Sequence, residues 1–290
     1  DVCSSDLAEM IAFLRELMQP EWMFLRYALL VGALASLSLG VIGTMVVTRR
    51  ISSLAGASAH AALGGVGVAL FLQRVCMWTG FTPMLGAVIG AMAAALLVGV
   101  INLCAKERED TIINVVWALF MSVGLLFLAR TPGAIDLQGY LFGNIVLLDR
   151  SAIWRTMVLD VVVLAPTVLF YNNILAMSFD ATFAELRGIR VKIFYLGLLA
   201  LTALTIVLLI DVVGIILVIA LLTLPAATAG CFTRHLWSMM ILSSILSWVF
   251  VTAGLLVSSR YEFPAGPMIV VLAGVVYVVG LAVSSRRKAR

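Results

Sequence analysis

Nine apolar runs, each close to the length of a bilayer-crossing helix, divide this sequence and leave it few ways to fold. A helix rises about 1.5 Å per residue, so about 20 apolar residues cover a hydrocarbon layer ~30 Å thick. Backbone in lipid must also satisfy its own hydrogen bonds, which restricts spanning segments to helices or closed barrels. The runs are Phe24–Val47, Leu54–Leu72, Leu85–Cys104, Ile112–Leu128, Ile153–Ile174, Ile193–Ile210, Val212–Phe232, Met239–Val257 and Met268–Val283. Only Asp211 separates the sixth from the seventh, so the expected number is nine, or eight if that stretch divides differently. Charged residues make up 12% of the chain, about half the fraction usual in soluble domains. The expected fold is an all-α polytopic membrane protein.

Basic residues favour the cytoplasmic side of a membrane. With the N-terminus outside, the inner loops and tail hold Arg49, Arg50, Lys106, Arg108, Arg187, Arg190, Lys192, Arg234, Arg286, Arg287, Lys288 and Arg290, twelve of the 19 Lys and Arg. The net charge of +4 therefore reports orientation and gives no sign of nucleic-acid binding. Residues 1–23 read as an N-terminal lead, with an amphipathic stretch from Leu7 to Met18 suited to the outer interface. Residues 24–285 read as one transmembrane domain, and 286–290 as a basic cytoplasmic tail. Met10 is the expected natural start, and no cleavable signal peptide is expected. Cys3, Cys76, Cys104 and Cys231 have no metal-type or redox-type spacing.

The second run carries a histidine, His60, in a setting of glycine and alanine. An ionisable group inside a span is costly and points to function, while small neighbours allow close helix packing. His60 is the first candidate for a transport pathway. Gly56 and Gly64 share its face, and with Gly65 they are expected to let helices pack and slide. Asp211, at an outer helix end, and Asp160, within the fifth run, are further candidates. Asp160 has the alternative of pairing with Arg155 or Arg150. Pro225 removes a backbone donor from the seventh run and is expected to kink it, with Thr228 or nearby carbonyls repairing the gap.

Two connections are long. Thr131–Asp149 lies outside and suits a helix at the outer mouth. Met177–Lys192 lies inside and has the pattern of a short amphipathic helix over 178–190. Ser178 or Asp180 suits its N-cap, Phe179, Phe183 and Leu186 its apolar face, and Gly188 its stop. That segment is either a surface turn or a handle for a cytoplasmic partner.

The order and spacing of five stretches resemble the permease subunit of bacterial ATP-binding-cassette importers for zinc, manganese or iron. They are Arg49-Arg50 with Ala59-His60-Ala61-Ala62-Leu63-Gly64-Gly65; Tyr140 to Ile145; Phe179-Asp180 through Ala184 and Gly188; Val213-Gly214 through Leu224-Pro225 to Ala229; and Pro264 to Pro267. The resemblance implies a fold related to the vitamin and siderophore permeases, and a homodimer in membrane lipid. It further implies a cytoplasmic ATPase dimer gripping Phe179, Asp180, Phe183, Ala184, Glu185 and Gly188, and an extracytoplasmic metal-binding protein. Relatives often carry Asp one turn before the histidine, where this chain has Gly56. They often carry an acidic residue where this chain has Thr182, and an apolar or basic one at Asp211.

No Gly-x-x-x-x-Gly-Lys-Ser/Thr loop occurs, so ATP chemistry is expected in a partner chain. The expected function is import of a divalent metal ion, zinc or manganese with iron in range, across the bacterial inner membrane, without a tightly bound cofactor. The alternatives are a chelate or vitamin permease, and a secondary transporter. An intramembrane enzyme would need a catalytic pair, such as His-Glu-x-x-His, that this sequence lacks.

Overall fold

A computed structural model describes residues 23–78, 80–105, 108–132, 150–261 and 263–288. All regular structure among them is helical: α1 (Met23–Thr48), α2 (Ser53–Arg74), α3 (Pro83–Cys104), α4 (Glu109–Ala129), α5 (Arg150–Leu169), α6 (Tyr171–Phe179), α7 (Ala181–Leu186), α8 (Val191–Val213), α9 (Ile215–Phe232), α10 (Leu236–Tyr261) and α11 (Ala265–Lys288). Nine of these, all but α6 and α7, are long and apolar enough to cross a membrane. The amphipathic lead, most of the outer connection, the Tyr140–Ile145 stretch and the end of the basic tail lie outside the described residues.

Helix ends follow local chemistry. Thr82 caps α3 by accepting the Leu85 N–H at 3.3 Å, with Pro83 in the first turn, where its missing donor costs nothing. The expected division at Asp211 is corrected: Asp211 lies inside α8, and the break falls at Gly214, with φ +85°. Only glycine enters that region without a steric penalty, so conformation outweighs charge in placing the boundary. The fifth run is also shorter than expected. It ends at Leu169 beyond Pro166, and α6 starts a new helix after Phe170.

Pro225 does not end α9, which runs from Ile215 to Phe232. The carbonyl that loses its donor to proline is that of Leu221. Thr228 Oγ1 instead donates to the Leu224 carbonyl at 2.7 Å, so the expected repair is not the one made.

At the centre lies α2, flanked by α3 and α4 and mostly buried, whereas α4 and α11 present most of their apolar surface outward. A Cβ on Gly65 would drive into the Gly86 carbonyl of α3, and one on Gly64 into the Phe120 carbonyl of α4. These are the backbone approaches that small residues permit between membrane helices. On the opposite side α1 packs on α10, where a Cβ on Gly32 would sit 2.7 Å from Val251 Cγ1.

Candidate functional site: the His60 helix and its Ser53 end

Helices α2 and α4 run in the same direction in a constant register. Ser53 Oγ donates to Asp110 Oδ1 at 3.0 Å. His60 stacks on Trp117, centroids 5.0 Å apart and planes 19° from parallel. Further along, Gly67 lies against Gly124, Phe71 meets Phe127 edge-on at 5.1 Å, and Arg74 Nη1 donates to the Pro132 carbonyl at 2.9 Å. His60 thus sits about 10 Å from the Ser53 end of its helix, held by a flat aromatic face.

Its Nδ1 is buried and makes no hydrogen bond among the described residues, so one imidazole nitrogen is left without a partner there. Unpaired buried polar atoms are rare and call for a partner. No group of three or more His, Cys, Asp or Glu side chains stands together among the described residues, so His60 offers a single ligand. The expectation that Gly56 packs closely is corrected: a Cβ there would meet nothing within 4 Å. The sequence placed Gly56 and Gly64 on one face, yet only Gly64 is pressed against a neighbouring backbone, the Phe120 carbonyl of α4.

The aspartates stand apart from His60. Asp211 borders a cavity of about 50 Å³ between α2, α3, α8 and α9, but its Oδ2 is held by Arg155 Nη1 at 2.5 Å. The pair is close to neutral as a unit, which weakens its pull on a passing cation. Arg155 is therefore not Asp160's partner. Asp160 is buried between α5 and α1, where Ser38 Oγ donates to its Oδ1, and its Oδ2 has no partner among the described residues.

The segment expected as a handle forms α6–α7. Asp180 is the cap, its Oδ1 accepting the Phe183 N–H at 2.9 Å, whereas Ser178 Oγ makes no bond among the described residues. Gly188 ends the turn at φ +80°. Ala184 is buried against the bundle, while Phe179, Phe183 and Leu186 stand out from it, Leu186 at 84% exposure. Exposed apolar side chains clustered on one short element mark an interaction surface.

Sequence reasoning missed what ties this segment to α2. Arg49, in the turn before α2, donates from Nη1 to the Met177 carbonyl at 2.9 Å, in the last turn of α6. A cation there also complements the negative end of the helix dipole. The same guanidinium lies 5.6 Å from the Tyr195 ring centroid on α8. Tyr195 OH donates to Glu109 Oε1 and accepts from Asn102 Nδ2 at 2.8 Å. The following residue, Arg50, reverses the chain at φ +60°. One arginine thus joins α6, α8 and the start of α2, and through Tyr195 reaches α3 and α4.

This arrangement has counterparts. The model of the ABC 3 transport family matches residues 21–284. The chain belongs to that family. Proteins similar to it include a probable metal transport system membrane protein of Chlamydia pneumoniae, 38% identical over 87% of this chain and 86% of that one. A manganese transport system membrane protein of Listeria monocytogenes is 32% identical over 92% of each chain. Among solved structures, PsaBC from Streptococcus pneumoniae, in complex with Fab, superposes with a TM-score of 0.79 and 27% identity, covering 93% of this chain and 95% of its own. The family's fold is therefore that of an ABC permease, multi-pass and helical, as the sequence implied.

Proposed function

We propose that the chain is the membrane permease of an importer that moves a divalent metal ion into the bacterial cytoplasm, manganese first and zinc or iron within range. The observation that carries this reading is the end-to-end likeness to membrane proteins named for manganese and metal transport. His60 supplies the transient ligand. Its unpaired Nδ1 is complemented by water, backbone carbonyls or the His60 of a second copy across a dimer axis. A sparse site suits transport, because an ion held by a full cage would not leave. Imidazole favours zinc over manganese, which requires oxygen ligands for the remainder of the shell.

A separate ATPase dimer docks on Phe179, Phe183 and Leu186, around the Asp180 cap, Ala184, Glu185 and the Gly188 turn. Its motion reaches α2 through the bond from Arg49 to the Met177 carbonyl. Gly64 and Gly65 hold α2 against its neighbours, and Pro225 softens α9 for gating. Asp211 stands at the outer mouth and Asp160 in the bundle interior, the less favoured contributors. An extracytoplasmic binding protein delivers the ion, with the N-terminus outside and the C-terminus inside, the arrangement the basic residues favour.

The test is uptake of radiolabelled Mn²⁺ and Zn²⁺ by cells carrying the complete transporter. His60→Ala is expected to reduce uptake of the preferred ion by at least about tenfold, the low end of what losing even a group that supports a metal ligand costs. Uptake at the wild-type rate would remove His60 from the route.

A further inference from the structure

Helices α5 and α10 both pack on α1 and barely meet each other. Each contact with α1 is close: a Cβ on Gly40 would drive into Ser244 of α10, and Ser38 bonds Asp160 of α5. Between the two helices a groove of about 290 Å³ runs over Leu37 and Val41 of α1, walled by Leu164 and Val168 of α5 and by Ile241 and Ile245 of α10. That is about twice the ~150 Å³ in which an engineered apolar cavity holds benzene.

The walls offer water nothing. Both hydroxyls that border the groove return to their own helices: Thr167 Oγ1 donates to the Val163 carbonyl at 2.7 Å, and Ser244 Oγ to the Met240 carbonyl at 3.0 Å. An apolar cavity so lined stays dry and accepts hydrocarbon. Leu37, Val168, Ile241 and Ile245 are exposed, so the groove opens sideways from the spans, where a bilayer's acyl chains lie. The helices that present most of their apolar surface outward, α4 and α11, contribute no residue to it, and a second copy of the chain has those broader faces to meet.

One end of the groove is chemically marked. Trp237 borders it there and meets Tyr171 of α6 edge-on, with centroids 5.6 Å apart. Trp and Tyr at the end of a span mark the depth of the lipid headgroups. The chain enters α10 through Arg234 and His235, both exposed, three and two residues before Trp237. No Asp or Glu occurs in α1, in α6 or from Gly230 to Tyr261, and the one in α5, Asp160, is buried. Basic side chains at this level attract anionic lipids.

We propose that the α1–α5–α10 groove binds one acyl chain of an anionic phospholipid, whose phosphate sits at Arg234 and His235. The site does not depend on what the protein transports. Filled, it props α5 against α10 beneath Tyr171, where α6 begins.

The assembled transporter, purified in detergent and given phosphatidylglycerol or phosphatidylcholine, tests this by native mass spectrometry. Phosphatidylglycerol should be retained about fivefold better, the contribution of one basic side chain near a membrane surface. Replacing Arg234 and His235 together by Gln should level the two lipids. Ile241→Trp places an indole in the groove. Displacing even two methylenes of the chain costs about tenfold in occupancy, so this variant should retain at least that much less lipid. Ile89→Trp, at an exposed position of α3 away from the groove, should retain the wild-type amount. On the wild-type chain, phosphatidylglycerol carrying a diazirine in its acyl chain should cross-link within 164–168 and 237–245.

Equal retention by Ile241→Trp and Ile89→Trp, or cross-links that avoid both segments, overturns the acyl site. Phosphatidylcholine held as well as phosphatidylglycerol overturns the anionic headgroup. If Ile241→Cys, with the four native cysteines replaced, oxidises to a disulfide-linked dimer in the membrane, a second copy occupies the groove and the lipid assignment fails.

Discussion

Two glycines of α2 separate packing from mere helix propensity. A Cβ at Gly67 would sit 2.5 Å from the Gly124 carbonyl and 3.0 Å from Leu128 Cγ, where ordinary contact begins at 3.4 Å. The carbonyl is backbone and cannot rotate away, so Gly67→Ala has to push α2 and α4 apart by roughly 0.9 Å at that level, the kind of overpacking that costs about 1–3 kcal/mol. Gly56→Ala meets no atom within 4 Å. It removes only glycine's helix penalty, a change of up to about 1 kcal/mol in the stabilising direction. The two variants should therefore differ by about 1–4 kcal/mol, with opposite signs. Thermal unfolding of the purified protein in one detergent is the assay. At about 2–4 °C per kcal/mol for a chain of this order, Gly67→Ala should melt well below Gly56→Ala. Equal melting temperatures would refute the contrast between the close α2–α4 approach at Gly67 and the free space at Gly56.

Arg49→Ala should leave the Met177 carbonyl unpaired and cost about 1–3 kcal/mol, in keeping with lost bonds to charged donors. It should also uncouple ATP turnover from uptake, measured as ions moved per ATP, more than Arg50→Ala does. An unchanged ratio would remove Arg49 from the coupling route. Asp211→Asn breaks a half-exposed ion pair with Arg155. Its melting temperature should shift by no more than the equivalent of about 1 kcal/mol, and Mn²⁺ uptake should stay within about twofold. A larger loss of uptake would restore Asp211 to a direct role.

The spans were legible because lipid imposes a length and a composition that a sequence displays openly. The short helix within 178–190 was legible for a similar reason, since its Asp180 cap and glycine stop are local, although it covers only Ala181–Leu186 and Phe179 belongs to the helix before it. What stayed hidden depends on which side of a helix meets which neighbour. Gly56 and Gly64 look alike in sequence, yet α4 approaches only one of them. Arg49 and Met177 are 128 positions apart, and Ser38 and Asp160 are 122 apart. No local pattern links either pair. The α8–α9 boundary was misplaced because a charged residue is more conspicuous than the glycine whose φ makes the break.

That glycine gives α8 and α9 a mechanical relation. They are joined through the single residue Gly214, so two torsions carry any change in the angle between them. The pair works like tweezers pivoted at one end. A helix the length of α8, 23 residues, extends about 35 Å. A rotation of about 5° at the pivot then separates the free ends by ~3 Å, roughly the width of one water molecule. The free end of α8 carries Tyr195, beneath Arg49. A small push there opens a large gap at that end and leaves the pivot end almost still, a lever ratio set by the absence of any loop.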